Sequence, residues 1–168
     1  MRKLYFLLLA GGLWAGVSGC PMIDREPLPR YKPLLMSRSQ LEQAVATLPA
    51  QALHNTGKIY LRDPYIFINE QYEGIHVIDN QDPARPQLVA FVRIPGNVDL
   101  AMKGNLLYAD SGPDLLTLDM SDARHARLLH RVRNAVPELP MPELGEVPAE
   151  YQASKRPADA VVVGWHKL

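Results

Sequence analysis

Cysteine occurs once in the 168 residues, at Cys20, and the residues before it define its chemistry. Arg2 and Lys3 are followed by an apolar run from Leu4 through Leu13 and Trp14, and then by Val17-Ser18-Gly19-Cys20. A basic start, an apolar stretch, two small residues and a cysteine form a lipobox at the end of a secretory signal. The thiol of Cys20 takes a diacylglyceryl group, and cleavage between Gly19 and Cys20 leaves the cysteine as the lipidated first residue. An ordinary secretory signal, a spanning helix and the first helix of a soluble domain are the plainer readings. A spanning helix needs roughly 20 apolar residues, and about fifteen lie between Lys3 and Ser18. A lone cysteine also has no intramolecular disulfide partner and is an odd leftover in a secreted chain. Lipidation accounts for it. Each buried methylene contributes about 0.8 kcal/mol, so one acyl chain holds weakly and two or three hold firmly.

Asp79 and Asp119 are the other chemical candidates, because each ends an apolar run and they stand 40 residues apart. Carboxylates at equivalent strand ends could gather at one rim and share general acid and base work, given matched environments. Each could equally accept amides of the following turn, as Asp82 and Asp122 can. That structural role is favoured, and no catalytic residue is assigned. His54, His76, His125, His130 and His166 are scattered without a zinc-type pair, and Asp79-Asn80-Gln81-Asp82 lacks the glycine and terminal glutamate of a calcium loop. His76, between Ile75 and Val77, is expected on one sheet face, exposed or hydrogen-bonded. No phosphate loop, dinucleotide fingerprint or Gly-x-Ser-x-Gly is present, and Ser111 lacks an evident base. Neither a metal nor a cofactor is expected.

Composition narrows the partners. Cleavage removes Arg2 and Lys3 from the eighteen basic residues, leaving sixteen against eighteen acidic ones. No basic field for nucleic acid exists. The 149 residues from Cys20 suit one modest domain. Prolines cluster at Pro21–Pro29 and Pro137–Pro148, so a tether, a compact middle and a loose tail are expected.

Residues 1–19 are read as the signal, with a signal helix, and 20–38 as the lipidated cysteine and a proline-rich extended tether. Pro21 is not the aspartate associated with inner-membrane retention in enteric-type lipoproteins, which favours the outer membrane. Ser39-Gln40-Leu41-Glu42 fits a capping box, and Leu41, Val45 and Leu48 recur at helical spacing. A short amphipathic helix is therefore predicted over 39–48, packed on the sheet that follows. From residue 57 to 136 the period becomes two, and an ungapped 40-residue repeat divides the segment into 57–96 and 97–136. Tyr65–Glu70 falls on Asn105–Asp110, and Gly74–Asp79 on Asp114–Asp119. Each unit reads as four short antiparallel strands. Residues 137–168 form a proline-rich tail with a terminal strand at 161–165.

Tyr65-Ile66-Phe67-Ile68-Asn69, followed by Gly74-Ile75-His76-Val77-Ile78-Asp79-Asn80-Gln81-Asp82-Pro83, resembles the LVIVD repeat. Leu115-Leu116-Thr117-Leu118-Asp119-Met120-Ser121-Asp122 resembles it more weakly. Met36-Ser37-Arg38, Pro95-Gly96-Asn97-Val98-Asp99 and Val161-Val162-Val163-Gly164-Trp165 are similar to stretches of Bacteroidetes-type LVIVD lipoproteins. The resemblance implies an all-β repeat of about two four-stranded propeller-like blades. Propellers close with four to eight blades, so a shortened reading frame, a ring of several chains or a small open sheet is expected; the first is favoured. Val161–Trp165 is a candidate strand of a third blade.

Two functions follow as expectations. One is a lipid-anchored envelope module that binds a protein or glycan through loops, with Tyr72, Glu73 and Asn97 as candidate contacts, and that self-associates to complete its sheet. The other is an envelope hydrolase using Asp79 and Asp119.

Overall fold

The computed structural model describes residues 31–144 and 147–168, so the lipobox, with Gly19 and Cys20, lies outside the described residues. Strand β1 (Tyr31–Ser37) runs into the six-residue helix α1 (Arg38–Gln43) and the short strand β2 (Ala46–Leu48). Two meanders follow. The first comprises β3 (Thr56–Arg62), β4 (Tyr65–Glu70), β5 (Gly74–Asp79) and β6 (Gln87–Arg93). The second comprises β7 (Leu100–Lys103), β8 (Leu106–Ser111), β9 (Asp114–Asp119) and β10 (Arg127–Val132), and β11 (Ala160–Lys167) closes the described chain. Three antiparallel sheets result, in the orders β2-β6-β5-β4-β3, β10-β9-β8-β7 and β1-β11, and none closes into a barrel.

The β-branched and aromatic run Tyr65-Ile66-Phe67-Ile68 favours the pleated, half-buried surface of β4. Its partner β5 begins at Gly74, where φ is 151° and an added Cβ would stand 2.1 Å from the Val92 carbonyl oxygen. Only glycine fits that approach.

Pairing registers make the two meanders equivalent, with one correction to the ungapped repeat. Turns of two residues join Arg62 to Tyr65 and Lys103 to Leu106, so β3 and β4 match β7 and β8 at an offset of 41. Beyond the next turn the offset is 40, because three residues separate Glu70 from Gly74 and two separate Ser111 from Asp114. Phe67 therefore corresponds to Tyr108, not to Leu107. A bulge recurs in β6 and β10, at the equivalent residues Val89 and Leu129. Since side chains alternate between faces, the single residue decides which face each one joins.

The meanders stack front to back. Phe67, Ile75, Val77, Ala90 and Val92 of the first sheet share a buried core with Leu100, Leu107, Ala109, Leu116 and Leu118 of the second. By the registers above, the first set corresponds to Tyr108, Leu115, Thr117, His130 and Val132, which lie on the other face of the second sheet. Unlike faces meet. The contact is heterologous, as between consecutive members of a rotational series.

The ends of the chain depart from expectation. Tyr31–Ser37, placed in the tether, instead pairs with β11 from Tyr31↔Lys167 to Ser37↔Ala160. The open edge of β11 supplies hydrogen bonds that a solvated tether would forgo. The tail strand is longer than 161–165 and extends neither meander, pairing with β1 in a separate two-stranded sheet. The capping box sits two residues earlier, with Ser37 Oγ accepting from the Gln40 amide at 3.2 Å and Gln40 Oε1 from the Ser37 amide at 2.9 Å. The helix stops at Gln43 because the edge of β6 captures Ala46–Leu48 in the pairing Ala46↔Arg93 to Leu48↔Phe91. Leu41 packs on Val161 and Val163 of β11 rather than on the first meander.

Gly74→Ala is expected to lower the thermal midpoint by several degrees, since a forced positive φ alone costs on the order of 1–3 kcal/mol. Thermal denaturation followed by circular dichroism checks this, and an unchanged midpoint would refute the close approach.

Candidate functional site

The repeat aspartates cap turns. Asp79 Oδ1 accepts from the Gln81 amide at 3.1 Å and Asp82 Oδ1 from the Ala84 amide at 3.1 Å. In the second unit, Asp119 Oδ1 accepts from the Ser121 amide at 2.9 Å and hydroxyl at 2.6 Å, and Asp122 Oδ1 accepts from the Arg124 amide at 2.9 Å. A carboxylate bonded to the amide two residues on is an Asx turn. Their second oxygens meet basic side chains: Asp82 meets Arg85, Asp122 meets His125, Asp119 meets Arg127 and Asp79 meets Arg124. The Ser121 hydroxyl and amide, with Arg127, hold the Asp119 carboxyl down at about 2. His125, and then the Arg124 amide, lower that of Asp122. Such carboxylates stay ionised as acceptors and make poor general acids.

The more consequential polar groups are buried, and sequence reasoning missed most of their roles. Glu70 Oε2 accepts from the His54 amide at 3.1 Å and from His76 Nε2 at 2.9 Å, while Oε1 accepts from the Asn55 amide. Burial pushes this carboxyl up, but the two amides and the imidazole outweigh it and its pKa falls. His76 is 1% exposed, and its ring lies tilted against that of Phe91 with the centroids 4.8 Å apart. A buried carboxylate–histidine pair has the groups of a base but no access for a substrate.

At the junction of the meanders, Asn69 Nδ2 donates to Asn97 Oδ1 at 2.6 Å, and Asn97 Nδ2 donates to Asp110 Oδ1 and to the Asp99 carbonyl, each at 2.8 Å. Asp110 Oδ1 also accepts from the amides of Val98 and Asp99. Asn69 and Asp110 are structural equivalents, so one carboxamide links the same position in both sheets. Burial raises the Asp110 pKa despite these donors. Asp110 borders an open groove of about 520 Å³ lined by Ala101, Tyr108, Leu115, Val136 and Leu139.

Asp114 forms the third cluster. Its side chain is fully buried and accepts from Arg38 Nη1 at 2.7 Å, from Arg131 Nη1 at 2.8 Å and from the Asn134 amide at 3.0 Å. Burial pushes the carboxyl up, yet Arg38, Arg131 and the amide bring it below its ordinary 3.8. These bonds join α1, β9 and β10.

Of the candidate loop contacts, Asn97 is wholly buried by the bonds just described and is unavailable to a partner. Tyr72, at φ 68°, is half-buried, and its ring lies close over Gly164 of β11. Glu73 is exposed and borders a groove with Leu48, Gln51, Phe91 and Arg93. The three do not form one site.

An apolar surface stands out instead. On the face of the first meander turned away from the second, Ile59 is 59% exposed, Leu61 71% and Leu88 38%, with Ile66 and Ile68 half-buried beside them. Their equivalents Leu100, Met102, Leu128, Leu107 and Ala109 in the second sheet include three residues at 1% or less. Contiguous apolar surface of this kind marks interaction sites. Spacing in β3 carried the signal, but Ile59 and Leu61 read equally well as core.

Among the described residues, no three His, Cys, Asp or Glu side chains are grouped to hold a metal ion, and no helix is long and apolar enough to cross a membrane. Comparison with protein-family models, curated proteins and solved structures finds no match to the chain.

Asp114→Ala is expected to destabilise the fold by about 3 kcal/mol, because it strands two guanidinium groups around a buried site. The native carboxyl is depressed, so its contribution is full above pH 3.8 and is lost as pH falls below that toward the lower native value. Denaturant titrations across pH 2–7 should show a shallower acid limb in the variant; parallel limbs would refute the role given to this carboxylate.

Proposed function

We propose that this chain is a lipid-anchored module of the bacterial cell envelope, held by Cys20 in the outer membrane, that binds another macromolecule through stacked LVIVD-type blades and catalyses nothing itself. The uncovered apolar face of the first meander carries this reading, since burying each such Leu or Ile contributes roughly 1.5–3 kcal/mol. The fate of the carboxylates supports it further: those ending the strands cap turns or meet cations, and Glu70 and Asp114 are walled off from solvent. Front-to-back stacking and the recurrent bulge are what consecutive propeller blades would require. Contacts then come from a sheet face more than from loop tips, which shifts the expected partner from a glycan toward a protein surface.

Two experiments test the reading. Cys20→Ser is expected to abolish palmitate labelling and membrane retention, and retention of both would remove the anchor. Wild-type protein and the Asp79→Asn/Asp119→Asn variant are then assayed on nitrophenyl esters, glycosides and phosphates. Neither should turn over above buffer, and the variant should stay folded, because each asparagine Oδ1 still accepts the Gln81 or Ser121 amide and only the pairs with Arg124 and Arg127 are lost. Turnover by the wild type that disappears in a folded variant would instead establish the hydrolase.

A further inference from the structure

The uncovered face of the first meander has a complement on the same molecule, at the far side of the second. Inside the chain, Tyr60, Phe67, Ile75 and Val77 pack against the face carrying Leu100, Leu107, Ala109 and Leu118. The register equivalents of the first group are Ala101, Tyr108, Leu115 and Thr117, all at least partly exposed. Those of the second are Ile59, Ile66 and Ile68 on the uncovered face, with Ile78 buried beside them. Each end of the stack therefore presents one half of a contact that the middle already makes.

We propose that a second copy of this chain covers the face, head to tail, with its second meander against Ile59 and Leu61 of the first. This rests on the reading of a non-catalytic binding module and names its partner. The internal contact fixes the register. Tyr60 lies against the second sheet, its hydroxyl donating to the Met102 carbonyl at 3.1 Å, and the equivalent of Tyr60 is the much smaller Ala101. Ala101 borders the 520 Å³ groove with Tyr108 and Leu115, so Ile59 and Leu61 of the next copy enter a space that a tyrosine fills within the chain.

Charge follows the same rule. Lys58 Nζ pairs with Asp99 Oδ1 at 2.6 Å between the two meanders, and Lys58 and Asp99 are themselves equivalent positions. Carrying the contact forward sets Asp99 of one copy opposite Lys58 of the next, so opposite charges meet again. Arg62, which donates to the Asn105 side chain at 2.8 Å and to the Gly104 carbonyl, has Lys103 as its equivalent, and Gly104 has Asp63. Lys103 of one copy thus approaches Asp63 of the next.

Geometry also favours closure. Strands about 4.8 Å apart, rising about 3.4 Å per residue, give a four-stranded face of on the order of 400 Å² per partner. Twice that lies below the roughly 1,200 Å² typical of a stable pair. In a closed ring every copy makes the contact twice, and two to four copies would supply the four to eight sheets of closed propellers.

Full-length chains in detergent, carrying Cys20→Ser and either Leu61→Cys or Ala101→Cys, give each chain a single thiol. Under mild oxidation a mixture should yield a disulfide-linked dimer of the two variants that neither yields alone, and light scattering of the wild type should give a mass of two to four chains. Asp63→Lys should weaken association several-fold, as rim charges do, and adding Lys103→Asp should restore it. A dimer formed by Leu61→Cys alone would mean that like faces meet and would overturn the proposal. So would a monomeric mass with no mixed dimer, which leaves the palmitate and turnover tests of the binding module unaffected.

Discussion

Two stacked sheets need their strand ends held at one height, and here a buried carboxamide does it. Asn97 lies in the segment that leads from β6 into β7, where the chain passes from one meander to the other. Its oxygen accepts from Asn69 and its nitrogen donates to Asp110, the same position in each sheet. An amide has only two donors and two acceptor lone pairs, and both ends of this one are engaged across the junction. Any slip of one sheet against the other would leave these buried groups unpaired, at a cost of about 1–3 kcal/mol for each group left unsatisfied. The apolar core supplies most of the attraction between the sheets. Asn97 makes that attraction specific for a single height.

A second tie works at the rim, where β1 and β11 cross the turn ends of both meanders. Arg38 follows β1, and Asp114 opens β9, so their bond fastens the terminal ladder to the second sheet. Tyr72, close over Gly164, fastens it to the first. Trp165 adds a donor bond to the Leu139 carbonyl at 3.2 Å and draws the proline-rich segment against the ladder. Tyr31–Ser37, which reads in the sequence as part of a tether, and the tail strand therefore make one clasp across the rim.

Period-two alternation with Gly, Asp and Pro punctuation was enough to place the eight meander strands and the repeat, because both depend on local chemistry. Three things were hidden. The choice between Ser37-x-x-Gln40 and Ser39-x-x-Glu42 as capping box turned on β1 ending at Ser37, which is a long-range fact. The one-residue difference between the turns at Gln71–Glu73 and Gly112–Pro113 was masked because Leu106 and Leu107 are both apolar and either could match Ile66. Asn97 looked like a polar loop residue available to partners, since nothing near it signals that Asn69 and Asp110 converge there. The turn aspartates were legible because an Asx turn needs only the next two residues. Glu70 and Asp114 were opaque, since, His76 apart, their partners are 15 to 76 residues away.

The ladder also sets an order of events. Tyr31 pairs with Lys167, so nearly the whole described chain lies between the first strand and its only partner. Chains emerge from the ribosome N-terminal end first, and closing so long a loop carries an entropic cost before its contacts repay it. The two meanders can form from residues 56–132 alone, while the β1 ladder must await β11. Until residues 160–167 arrive, β1 has no strand to pair with among the described residues, and its ladder is a late step of folding.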